Sequence, residues 1–147
     1  MKINENAPVI ASGEIEIAAN ASIVWDIMSS IDRWPEWNPD IKSASLHGEL
    51  APGSRFIWKS GHMTIASTIL LVQVPCNLAW TGMTMGIKAV HIWRLEKRGE
   101  RVLVKTEESW DGLFPRVLRG PMQRMLKSSI DSGLLHLKAE AERRAAF

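Results

Sequence analysis

Residues 88–110 read KAVHIWRLEKRGERVLVKTEESW, two runs of alternating character joined at Arg98-Gly99-Glu100. A period of two residues predicts half-buried strands, and the glycine between the runs predicts a hairpin turn. A two-residue loop at residues 98–99 would place His91 opposite Thr106, whereas one at residues 99–100 would place it opposite Glu108. Both registers bring the same side chains to one face, which we expect to be the inner one: His91, Trp93, Thr106, Glu108 and Trp110.

Upstream of this hairpin the chain predicts further strands over residues 41–46, 54–59, 62–73 and 78–82. A two-residue turn at Ser60-Gly61 would pair Trp58 with Met63 and Phe56 with Ile65 on the inner face. The strand continues through Ile69 and Leu71, and we expect Ser67 and Gln73 to point inward as well. Residues 82–86, GMTMG, indicate a flexible loop.

The sequence begins with a strand and ends with a long helix. Ile15 and Ile17 alternate with glutamates over residues 12–18, and Asn20 is placed to cap a helix over residues 21–30. Proline residues limit the following segment, 32–39, to a short helical turn and loop. After Pro121, apolar residues recur at helical spacing: Met122, Met125, Leu126, Ile130, Gly133, Leu134, Leu137 and Ala141. This order predicts an α+β fold whose mostly antiparallel curved sheet buries one face against the C-terminal helix.

Composition indicates one globular domain over residues 1–147. Hydrophobic residues make up 46% of the chain and charged residues 23%, which excludes a disordered or fibrous protein. The single cysteine, Cys76, excludes an internal disulfide, and the four scattered histidines predict no metal site. We also expect no cofactor, because the chain has no glycine-rich phosphate loop. The net charge of +2 and the inward alternation of the aromatic residues argue against nucleic-acid binding.

Five local motifs carry a likeness to known proteins: IVW at 23–25, DRWPEWNP at 32–39, GSRF at 53–56, LAWTG at 78–82 and ESWDG at 108–112. Together with the order of elements, they resemble the START-like (SRPBCC, helix-grip) superfamily, in particular its polyketide cyclase/dehydrase and lipid-transport group. The likeness covers about residues 10–144. It implies about seven antiparallel strands wrapped around the long helix, two short helices after the first strand, and an internal cavity.

The same resemblance implies a function in that cavity, where members of the superfamily hold lipids, sterols, polyketides or hormones and some catalyse cyclisation or dehydration. We expect a small hydrophobic ligand bound or carried in a cavity of roughly a few hundred Å³. A cyclase or dehydratase is the first alternative, and a protein–protein interaction module is the second, because fold alone does not choose among them.

The candidate site combines an acid–base pair with an aromatic wall formed by Trp58, Trp80, Trp93 and Trp110. His91 and Glu108 could move protons on a carbonyl substrate, or they could be polar anchors that satisfy each other or water. Indole N–H groups on the wall could orient a carbonyl or hydroxyl of the ligand. The residues expected to contact the ligand are Phe56, Trp58, Ile65, Ile69, Trp80, His91, Trp93, Thr106, Glu108, Trp110, Met122, Met125 and Leu126.

We expect the cavity mouth between the segments 82–86 and 112–121, with Met83, Met85, Leu113 and Phe114 forming the portal. Residues 112–147 carry seven basic and three acidic residues, so this basic and apolar segment could touch an anionic membrane during ligand transfer. The polar N-terminus and the lack of an apolar run of about 20 residues predict a cytoplasmic protein. The sequence leaves the oligomeric state and the ligand's identity open.

Overall fold

The computed structural model describes residues 1–146 and has the predicted α+β helix-grip architecture. Seven antiparallel strands form one curved sheet in the order β1-β7-β6-β5-β4-β3-β2. Their bounds are β1 Val9–Ile17, β2 Ile41–His47, β3 Arg55–Ser60, β4 Met63–Gln73, β5 Asn77–Thr84, β6 Ile87–Arg98 and β7 Arg101–Asp111. The helices are α1 Ala21–Ser29, a 3₁₀ helix Ile31–Glu36, α2 Leu113–Val117 and α3 Arg119–Ala145.

Helix α3 lies across the concave face of the sheet and is fixed along β1. Four side chains of the helix are buried in the core: Leu126, Ile130, Leu134 and Leu137. Gly13 of β1 permits the close approach, since a Cβ there would come within 2.9 Å of Leu134 Cδ1. The Gln123 side chain adds two hydrogen bonds to the backbone of Ile10, and Lys127 donates to the Ser12 carbonyl at 2.7 Å. No helix among residues 1–146 has the length and apolar character needed to span a membrane.

The turns decide the strand registers. His91 lies opposite Glu108, so the loop is Gly99-Glu100, the second of the two predicted alternatives. In the β3–β4 hairpin Trp58 pairs with Ile65 rather than with Met63, so the predicted Ser60-Gly61 turn was wrong and the turn is Gly61-His62. In both loops the glycine is the first turn residue and has a positive φ, 63° and 58° respectively. That is the pattern of a type II′ hairpin turn, which favours glycine at this position.

A bulge in β4 changes which residues face the helix. The pairing with β5 shifts between Ile69 and Leu71. Before the shift Ser67 and Ile69 are buried on the inner side, and after it Val72 takes that side. Gln73 is therefore exposed rather than inward, because an extra residue in one strand reverses the alternation beyond it.

The segment expected to be a flexible loop is mostly strand. β5 continues to Thr84 and β6 begins at Ile87, so only Met85 and Gly86 form the turn. Asn20 caps α1 as predicted, with its side-chain oxygen accepting a 2.9 Å hydrogen bond from the Ile23 amide.

Candidate functional site

A cavity of about 800 Å³ lies between the concave face of the sheet and α3. Strands β3 to β7 supply its inner wall, and α3 supplies the opposite one. Its outer rim consists of exposed residues of three segments: Pro39, Asp40, Lys42, Gly61, His62, Met125, Ser128 and Ser129. The mouth therefore lies between α3, the β3–β4 turn and the start of β2. Ser132 of α3 donates a 2.8 Å hydrogen bond to Asp40 across this mouth.

A smaller recess of about 70 Å³ adjoins the cavity. Six residues line both spaces: Asp40, Trp58, Ser60, Trp80, His91 and Ser129. The rest of the recess is lined by Trp34, Trp37, Asn38 and Ile41 from the 3₁₀ helix and the residues after it, by Trp93 of β6, and by Met28, Ile130 and Gly133 of α1 and α3. The recess is thus the point where the short helices meet the sheet.

The aromatic wall is a continuous packed cluster. Trp34 meets Phe56 and Trp58 edge to face with ring centroids 5.5 Å apart, and it lies 5.2 Å from Trp80. The His91 ring lies 5.0 Å from that of Trp80 and 5.3 Å from that of Trp93. Edge-to-face contacts of this kind stabilise aromatic clusters beyond their area burial, so the rings support one another in this arrangement.

The hydrogen bonds around His91 indicate which ring nitrogen carries the proton of the neutral imidazole. The single hydroxyl hydrogen of Thr106 is directed to the Ile92 carbonyl at 3.0 Å. Thr106 Oγ1 is then an acceptor for His91 Nε2–H, 2.8 Å away. In the neutral imidazole Nδ1 carries only a lone pair, and this atom lies 3.1 Å from Glu108 Oε1. A carboxylate there would repel that lone pair, so the arrangement favours a protonated Glu108.

Burial acts on both groups in the direction that keeps them neutral. Desolvation raises the pKa of Glu108 to about 7, opposed by the Trp110 indole, which donates a 2.8 Å hydrogen bond to Oε2. Desolvation also lowers the pKa of His91 to about 3. Both side chains are largely buried, and both line the cavity. Burial therefore favours a neutral pair, in which the proton of Glu108 faces the Nδ1 lone pair of His91 beside the cavity.

Most of the residues predicted to contact the ligand line the cavity or the recess: Trp58, Ile65, Trp80, His91, Trp93, Glu108, Trp110 and Met125. Other predicted contacts lie outside the lining: Phe56, Ile69, Thr106, Met122 and Leu126. Phe56, Ile69, Thr106 and Leu126 do face inward but are almost completely buried in the packed core. Alternation predicts the face of a residue, and only packing decides whether an inner residue borders a void.

The predicted portal is closed. Met83, Met85, Leu113 and Phe114 do not line the cavity. A Cβ added to Gly86 would come within 2.7 Å of the Phe114 ring, so the ring covers this turn. Gly112 approaches the Gly86 carbonyl oxygen so closely that a side chain would not fit. Gly86, expected in a flexible loop, and Gly112, expected at the cavity mouth, instead allow the two segments to pack together.

The sequence pattern indicated neither the contribution of the short helices to the site nor the position of the mouth. Trp34 and Trp37 had a signal, because two tryptophans flank Pro35 within one short segment. The rim had no such signal, since Asp40, Ser128 and Ser129 are ordinary exposed polar residues in the sequence. Among residues 1–146, no cluster of three His, Cys, Asp or Glu side chains is placed to hold a metal ion.

Solved structures share this fold at low sequence identity. A hypothetical protein from Helicobacter pylori superposes with a TM-score of 0.85 and 16% identity, covering 94% of this chain and 90% of the other. The Zhui aromatase/cyclase from a Streptomyces species gives 0.81 and 17%, covering 92% and 94%. A START superfamily protein from Mycobacterium smegmatis gives 0.71 and 20%, covering 93% and 97%. At these identities the likeness shows the fold alone.

The family assignment comes from the sequence. No curated protein matches it. Residues 8–142 match the sequence model of the family described as polyketide cyclase/dehydrase and lipid transport. The match spans nearly all of the chain, including every strand of the sheet and most of α3. It agrees with the motifs and the element order, and the protein therefore belongs to the polyketide cyclase/dehydrase and lipid transport family.

Proposed function

We propose that this protein binds a small hydrophobic molecule in the cavity between its sheet and α3. The observation that carries the proposal is a space of about 800 Å³, walled by tryptophans and open at one end. Binding sites for small molecules are typically concave, mostly apolar and roughly 300–1,000 Å³ in volume. The family and the fold are consistent with a hydrophobic ligand.

The wall explains why such a ligand would be held. Its rings already pack against one another, so little side-chain order has to be created on binding. Apolar surface transferred to the cavity gains about 25 cal/mol per Å². The few polar groups, chiefly His91 and Glu108, then orient the ligand.

A cavity-filling substitution tests the proposal. Ala89 of β6 lines the cavity, whereas its neighbour Val90 packs on the opposite face of the sheet. We expect Ala89→Phe to weaken binding of the neutral fluorescent probe N-phenyl-1-naphthylamine at least about tenfold, because the new ring occupies the space. The matched control, Val90→Phe, should retain the wild-type affinity. Equal probe binding by both variants would show that the cavity is not the binding site.

Catalysis is the second candidate, and the contact between His91 and Glu108 favours it. An acid and a base 3.1 Å apart both border the cavity. A cyclisation of a poly-β-ketone needs a base to remove a proton from a carbon between two carbonyls. The enolate then attacks another ketone to form the carbon–carbon bond, and an acid protonates the resulting alkoxide.

Glu108→Gln separates the two candidates. The amide keeps the shape of the side chain and removes its transferable proton. If the protein is an enzyme of this type, turnover of a poly-β-ketone should fall about 100- to 10,000-fold while probe affinity stays within about tenfold. If it is a carrier, the wild-type protein shows no turnover, and the substitution alters affinity or stability only.

We also propose transient contact of α2 with an anionic membrane. α2 and the residue after it expose four apolar side chains: Leu113, Phe114, Val117 and Leu118. Arg116, Arg119 and Arg124 lie in the same segment and are exposed. Apolar side chains beside basic ones suit an interface that carries negative headgroups. The apolar part of this surface, residues 113–118, does not line the cavity.

A further inference from the structure

The indole N–H groups of the aromatic wall differ in their hydrogen bonds. Trp34 Nε1 donates to the Met28 carbonyl at 2.9 Å, and Trp58 Nε1 donates to Ser67 Oγ at 3.0 Å. Trp110 Nε1 donates to Glu108 at 2.8 Å. These three donors are satisfied within the protein and have no free hydrogen for a ligand.

Two other indole N–H groups are buried without such a hydrogen-bond acceptor. Trp37 Nε1 and Trp93 Nε1 are buried and have no hydrogen-bond partner within residues 1–146. Trp93 is only 8% exposed, so water from bulk solvent does not solvate it directly. Leaving a buried donor unpaired costs about 1–3 kcal/mol, and native proteins seldom accept that cost without a reason.

Both unpaired indoles line the same recess of about 70 Å³ beside the main cavity. No lysine or arginine lines this recess, and its charged and titratable neighbours are Asp40 and His91. Glu108 faces the adjoining space. An anionic group would therefore be desolvated here without a cation and would meet acidic side chains. A hydrocarbon group could not accept a hydrogen bond from the indoles. A neutral oxygen acceptor fits both conditions.

We propose that the recess is a subsite for a carbonyl oxygen of the bound ligand, which accepts a hydrogen bond from Trp93 Nε1 with Trp37 Nε1 as the second donor. The proposal rests on the proposed function, since the rest of the ligand occupies the main cavity. It defines the ligand class as an apolar, uncharged ketone-type molecule. Purely hydrocarbon ligands and carboxylates lie outside that class.

A pair of matched probes tests the subsite. Fluorene and 9-fluorenone share one rigid tricyclic frame and differ by the carbonyl oxygen. The quantity measured is the ratio of their dissociation constants, obtained by displacement of N-phenyl-1-naphthylamine. We expect Trp93→Phe to reduce the preference for 9-fluorenone about five- to tenfold relative to wild type, because one hydrogen bond is lost. Comparing ratios between variants cancels the different solubilities of the two probes.

Trp58→Phe is the matched control. It removes an indole from the same wall, but one whose N–H is already bonded to Ser67. We expect it to keep the wild-type preference even if both affinities change. Trp37→Phe reports on the second donor in the same assay.

The indole protons of the wild-type protein give a second measurement that needs no variant to fold. In a ¹H–¹⁵N spectrum the Trp93 or Trp37 indole resonance, assigned through bonds, should move downfield with 9-fluorenone and not with fluorene. An unchanged preference in both Trp93→Phe and Trp37→Phe, or identical indole shifts with the two probes, would overturn the subsite and leave the proposed function standing. If neither the dye nor either probe bound to the protein, the two proposals would be overturned together.

Discussion

Replacing Glu108 by Gln should add a pH-dependent contribution to stability that the intact His91–Glu108 pair does not make over the same range. In the folded state, burial holds the pKa of Glu108 at about 7 and that of His91 at about 3. In the unfolded chain these groups return to ordinary values near 4.5 and 6.5. Between pH 4.5 and 6.5 the folded pair then holds one proton on Glu108, and the unfolded pair holds one proton on His91. The proton counts are equal, so the pair adds no slope to stability.

The substitution leaves His91 as the only contributor of the two. Unfolded His91 binds a proton below pH 6.5, whereas the folded, buried imidazole stays neutral down to about pH 3. Stability should therefore fall as the pH falls through this window. A full proton corresponds to about 1.36 kcal/mol per pH unit, and unfolded His91 is half protonated at pH 6.5, so the difference between pH 6.5 and pH 4.5 should reach about 2.3 kcal/mol. His91→Asn should do the opposite, because Glu108 alone makes stability fall as the pH rises from 4.5 towards 7.

Urea unfolding at pH 4.5, 5.5 and 6.5, followed by tryptophan fluorescence, measures these slopes. The other titrating groups are common to all variants and cancel when each is compared with wild type. Glu107→Gln is the matched control, since Glu107 lies one residue away on the other face and pairs with Arg94 at 2.8 Å. Parallel pH profiles for wild type, Glu108→Gln and His91→Asn would refute the assignment of a neutral, buried acid–base pair.

Three further outcomes follow from the contacts of individual residues. Asn20→Ala should lower the free energy of unfolding by about 1 kcal/mol in urea melts, because α1 loses its cap. Gly112→Ala should destabilise more than Gly48→Ala in the same melts: both glycines have positive φ, but only Gly112 has close backbone neighbours, and equal effects would contradict the tight packing there. Val117→Ser should weaken sedimentation with phosphatidylglycerol vesicles, whereas Val74→Ser, which changes a valine of the same 69% exposure between β4 and β5, should not; equal losses would remove the case for α2 as the contact surface.

Local sequence pattern determined the order of elements and the faces of the strands. Alternation placed His91, Trp93, Glu108 and Trp110 on the inner face, and the structure has them there. The error in the β3–β4 register at Trp58 likewise left the predicted faces of those two strands unchanged, because a shift of two residues preserves the face. The asparagine cap and the apolar spacing of α3 are also local signals, and both predictions are confirmed.

Long-range packing decided where the cavity is, where it opens and which polar groups remain free. The bulge near Ile69 arises in the pairing with β5 and leaves no local pattern to read, so Gln73 was placed on the wrong face. The contact of Gly112 with the turn at Gly86 closes the predicted portal through residues far apart in the chain. Likewise, the sequence does not show which of the seven tryptophans have hydrogen-bond partners for their indole N–H groups. Only the folded structure separates Trp37 and Trp93, whose buried N–H groups are unpaired within residues 1–146, from Trp34, Trp58 and Trp110, whose donors are already used.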